Sequence, residues 1–133
     1  MTILDSPRFL NKVLLVDAAT SAATGMLMLL GAASLAPLLG LPESLLRHAG
    51  ASLLPFAALV AFLGSREHPP RPAVWAIVAC NALWAIDSIL VLLLGWASPS
   101  LPGKLFVVAQ AAAVAVLAEL QYFGLRRSRP AIA

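Results

Sequence analysis

The chain has 133 residues, 61% of them hydrophobic and only 11% charged, with a formal net charge of +3. Ordinary soluble domains are about 45–50% apolar and about 25% charged, and so small a fold has too much surface to cover with so few charges. Lipid is the medium that suits this composition. The positive excess gathers just outside the apolar runs, without the interleaved aromatics on which bases stack, so no nucleic-acid partner is expected.

A helix needs about 20 apolar residues to cross a hydrocarbon core about 30 Å thick. Four runs have that length, at about 13–35, 45–64, 73–96 and 104–125. The expected fold class is therefore all-α, one four-helix transmembrane bundle over residues 1–133. Helix rather than strand follows from run length, from Ala/Leu content and from the need to pair backbone groups within each segment in lipid.

The first run carries Asp17 near its start, with Ser21, Thr24, Gly25 and Met28 along the same stripe. Arg8 and Lys12 resemble the basic region of a signal peptide and Ala32-Ala33-Ser34 a cleavage site, but the long run containing Asp17 argues for an uncleaved span. Pro37, Gly40 and Pro42 break the chain before the second run. That run is nearly devoid of polar residues apart from Ser52, and Pro55 is expected to kink it. Its expected place is the lipid-facing side, with a gating hinge as the alternative.

The Pro-rich segment 65–72 separates the second run from the third, which contains Cys80, Asn81, Trp84, Asp87 and Ser88. Cys80, the single cysteine, is expected to be a small buried hydrophobe. The segment 98–103 precedes the fourth run, which carries Gln110, Glu119 and Gln121. Trp75, Trp96 and Tyr122 lie near run ends, where amphipathic aromatics form interfacial belts. His48 and His68 flank opposite ends of one run and cannot share a metal or haem; no metal site and no cofactor are expected.

With both termini in the cytoplasm, Arg8, Lys12, Arg66, Arg71, Arg126, Arg127 and Arg129 lie inside, against Arg47 and Lys104 outside. That asymmetry predicts a fixed, multi-pass orientation in the inner (plasma) membrane.

Ionisable groups inside a span are costly and usually face the bundle interior, which makes Asp17, Asp87 and Glu119 the candidate ligand- or proton-binding residues. Helical rise puts Asp17, Asn81 and Glu119 in one layer, and Asp87 with Gln110 deeper. Asp87 is the first choice, with Trp84 and Asn81 as its neighbours, because it is too short to reach the interface. For Asp17 and Glu119 the bland alternative is contact with the headgroup region beside Lys12 and Arg126. Glu119 and the Gln110/Gln121 pair fall on opposite stripes of the fourth run, so one stripe is expected to meet another protomer or the interface. The expected partners are the bilayer and either a second copy or another membrane subunit. Small residues in the first and fourth runs suit close helix packing.

A shift of 64 positions brings Asp17 onto Asn81, Thr24 onto Ser88 and Gly31 onto Gly95. Two duplicated helical hairpins would produce this, as in parallel-repeat transporters; chance alignment of Leu/Ala-rich helices is the alternative. The stretches 53–60 (LLPFAALV), 81–84 (NALW) and 118–122 (AELQY) together resemble a group of small, uncharacterised four-span bacterial integral membrane proteins, over most of the chain. That resemblance implies no activity. Length, span count and an acid in the first span are also similar to small multidrug resistance transporters, although the Gly/Trp patterns of that family are missing here.

Three functions are compatible with these features. The first is binding or transport of a small hydrophobic or cationic compound, with proton linkage as an option. The second is an accessory or structural subunit of a larger membrane complex. Last comes a lipid- or isoprenoid-modifying enzyme using Asp87 or Glu119 as general acid or base, for which no nucleophile–base pairing speaks, so no catalytic residue is assigned.

Overall fold

The computed structural model describes residues 8–94 and 98–127, and within them five helices and no strand. The helices are α1 (Phe9–Leu30), α2 (Ala32–Leu39), α3 (Glu43–Ser65), α4 (Arg71–Leu93) and α5 (Leu101–Arg127). Four of them, α1, α3, α4 and α5, are long and apolar enough to cross a membrane.

The first apolar run does not remain one helix. It breaks at Gly31, whose N–H still reaches Leu27 O at 2.8 Å, and restarts as the short α2. Glycine costs about 1 kcal/mol in a helix interior relative to alanine, and here it marks the joint. Helix α2 runs through Pro37 and ends at Gly40, which takes a left-handed φ of 67°. Helix α5 begins three residues earlier than its apolar run because Ser100 caps it: Gly103 N–H donates to Ser100 Oγ at 3.2 Å. Pro102 then stands in the first turn, where a missing N–H costs nothing.

Helices α1 and α3 run antiparallel in close contact, so α3 is not merely a lipid-facing strut. A Cβ on Gly50 would stand 2.7 Å from Gly25 O and 2.7 Å from Leu29 N, both backbone atoms, so only glycine allows this approach. Such small-residue crossings are how apolar helices gain van der Waals contact in lipid. Pro55 is exposed within an α3 that remains helical from Glu43 to Ser65. Helices α4 and α5 form the second antiparallel pair, and α5 also lies along α1.

Hydrogen bonds tie both ends. At one end Asn11 Nδ2 donates to Gly64 O (2.9 Å) and Arg66 O (2.6 Å), and Arg71 donates to Leu125 O (2.7 Å). Each side chain satisfies carbonyls left open where a helix stops. Arg8, Lys12, Arg66, Arg71, Arg126 and Arg127 belong to this basic end. At the other end Ser100 joins α2 to α5, its N–H donating to Leu39 O (2.9 Å) and its hydroxyl to Leu38 O (2.7 Å).

The apolar core comprises a cluster around Leu14, Val60, Val74, Ile77 and Leu125 and another around Met28, Leu46, Leu53 and Val107. The outer surface is equally apolar: Leu30, Leu59, Phe62, Leu83, Ile86, Leu93 and Phe123 are all exposed. A helix apolar on both its inner and outer sides is what a bilayer allows and water penalises.

Candidate functional site

The three buried polar side chains among the described residues converge on one point. Asp17 of α1 is 1% exposed, Asn81 of α4 4% and Gln121 of α5 0%. Asn81 Nδ2 donates to Asp17 Oδ2 at 2.8 Å and to Gln121 Oε1 at 3.0 Å, while Gln121 Nε2 donates to Asp17 Oδ2 at 2.6 Å. Ser21, one turn along α1, donates its hydroxyl to Asp17 Oδ1 at 3.1 Å. The carboxylate is thus cradled by two amides and a hydroxyl, and no buried side-chain polar atom among the described residues lacks a partner. A fully satisfied polar network of this kind fixes the mutual register of the helices it joins.

The second carboxylate has the opposite setting. Asp87 of α4 is exposed, and no hydrogen bond or ion pair engages it among the described residues. It lines a cleft of about 210 Å³ together with Met28 of α1, Leu45 and Ala49 of α3, and Trp84, Ser88, Phe106 and Gln110. The cleft's polar wall is itself ordered: Trp84 Nε1 donates to Gln110 Oε1 at 2.7 Å, and Gln110 Nε2 donates to Ser88 Oγ at 2.8 Å. Trp84 also borders two smaller cavities, of about 160 and 60 Å³, the first reaching Ser21 and Asn81 and the second Thr20 and Thr24. A carboxylate that shares a mostly apolar cleft with Trp84 and Phe106 is chemically suited to a cation: charge pairs with the acid and aromatic rings attract the remainder.

The candidates from sequence therefore separate. Asp17 and Asn81 are brought together, and Asp87 shares its cleft with Trp84. Glu119 does not join the Asp17 cluster: it is exposed on the outer stripe of α5, and Gln121, two residues and about 200° further round the helix, closes the cluster instead. Gln110 and Gln121 both face inward, which settles which stripe of α5 is internal. Cys80 is exposed rather than buried; the buried residues of α4 are Val74, Ile77 and Asn81. Trp75 and Tyr122 meet edge to face, with centroids 5.5 Å apart, near the basic end; Trp96 lies outside the described residues.

Two residues outside the sequence candidates complete the sites: Phe106 in the Asp87 cleft and Ser21 beside Asp17. Phe106 had no signal beyond being aromatic. Ser21 lies on the Asp17 stripe that the sequence marks, and its one-turn spacing is the signal for the hydrogen bond it makes. No family model, curated protein or solved structure matches this chain.

Proposed function

We propose that this chain is a multi-pass membrane protein that binds or transports a small hydrophobic or cationic compound, with Asp87 as the binding carboxylate. The observation that carries this reading is Asp87, without a partner among the described residues, in a mostly apolar cleft that Trp84 and Phe106 also line. A carboxylate in apolar surroundings is tolerated only with compensation, and a ligand cation supplies it. The test is binding and flux of a lipophilic cation, tetraphenylphosphonium, by the purified chain in vesicles. Asp87→Asn should abolish both; unchanged flux rules Asp87 out.

The proposed orientation puts the basic end, and so both termini, in the cytoplasm of a cell bounded by its inner membrane. It is supported by the gathering of Arg8, Lys12, Arg66, Arg71, Arg126 and Arg127 at that end. A duplication of hairpins is supported by the hydrogen bond between Asn81 and Asp17, the residues that the 64-position shift superimposes. A second reading, a subunit of a homodimer or a larger membrane complex, is favoured by Glu119: it faces outward from α5 with no partner among the described residues. Mild-detergent extraction that yields only monomer would count against it.

A further inference from the structure

Trp84 stands between the Asp87 cleft and the cavity of about 160 Å³, which lies toward the basic end between Ser52 and Phe56 of α3 and Cys80 and Asn81 of α4. Both spaces lie along the seam between α3 and α4, which touch far less than α1 touches α3 or α4 touches α5. Ser52, Cys80 and Asp87 are all exposed, so the seam opens on the outer surface of the bundle. Asp87 and Cys80 are seven residues apart on α4, two turns or about 10 Å. The walls are mostly apolar, and the carboxylate stands at one end.

Resting on the reading of Asp87 as a cation site, we infer that this seam receives an amphiphilic monocation from the lipid phase. Its head group lies at Asp87 beside Trp84 and Phe106, and its hydrocarbon tail runs past Trp84 to Phe56 and Cys80. Each part of the ligand answers a part of the seam. One unpartnered carboxylate calls for one positive charge, and the apolar length beyond it calls for hydrocarbon. The lateral opening makes the bilayer the source. A neutral acyl chain leaves the carboxylate unpaired, and a zwitterionic lipid sets its phosphate against it.

The test uses the full chain in proteoliposomes and a long-chain alkyltrimethylammonium probe carrying a diazirine at the tail end. After photolysis, adducts are mapped by mass spectrometry. The expected adducts fall on Phe56 and around Cys80, and drop by about tenfold or more with excess unlabelled decyltrimethylammonium and in Asp87→Asn. Tetramethylammonium, which lacks a tail, should compete poorly. Ser52→Trp, which fills the seam beyond Trp84, should remove the Phe56 and Cys80 adducts while leaving Asp87 in place.

Adducts that depend on Asp87 but stay level with Leu45 and Val91 overturn the seam and leave the Asp87 site standing. Labelling equal in wild type and Asp87→Asn overturns both. Labelling that survives excess cation assigns the seam to ordinary acyl chains, and cross-linking of Cys80 between two copies assigns it to a second copy; either result overturns the inference.

Discussion

Asp17 and Asp87 are the same functional group, each about two turns from a helix end, yet the bundle treats them oppositely. Asp17 is enclosed by donors from α1, α4 and α5 and has almost no accessible surface to offer a ligand. Asp87 stands at the edge of a cleft with its oxygens unengaged by the described residues. The difference teaches that an acid inside an apolar bundle is not by itself a site. What matters is whether the protein has already spent its own donors on it. Asp17 joins three helices; the carboxylate of Asp87 has no partner among the described residues.

The largest expected effect falls on the Asp17 side. Asp17→Leu strands the amides of Asn81 and Gln121 in the core, and unsatisfied buried polar groups cost about 1–3 kcal/mol each. A loss of about 2–4 kcal/mol of stability is predicted, read by denaturant titration in mixed micelles; a fully stable variant would break the comparison. Next comes Asp87→Asn, which should leave the melting temperature unchanged while weakening binding of a lipophilic cation by about tenfold or more.

Smaller again is the coupling between Asp17 and Gln121. A double-mutant cycle with Asp17→Asn and Gln121→Leu should return about 1–2 kcal/mol, the upper range for side-chain hydrogen bonds between helices in lipid. Gln110→Leu removes the acceptor of the Trp84 indole, so it should lower cation affinity severalfold and shift Trp84 fluorescence in a variant keeping only that tryptophan. The smallest effect is that of Glu119→Gln, which should alter neither stability nor cation binding of the lone chain, because Glu119 belongs to neither region.

Much of the architecture was legible because crossing a bilayer demands length, and Pro-rich or Gly-rich breaks separate the long runs. The joint at Gly31 was not, since α2 is as apolar as α1 and hydropathy does not change across it. Depth along a helix was also legible: Asp17 and Asn81 share a level by counting residues from the span ends, and they meet. Phase around a helix was not. In water the polar face of a helix marks the outside, but in lipid both sides of α5 are apolar, so nothing in its pattern tells whether Glu119 or Gln121 points inward. The same ambiguity placed Cys80 in the interior when it lies on the seam.

The most direct measurement is equilibrium binding of tetraphenylphosphonium to wild-type chain and to Asp87→Asn in vesicles, with folding of both verified by thermal melting. A binding role for Asp87 predicts saturable binding by the wild type and its loss in a variant that melts at the same temperature. Equal saturable binding by both proteins would contradict it.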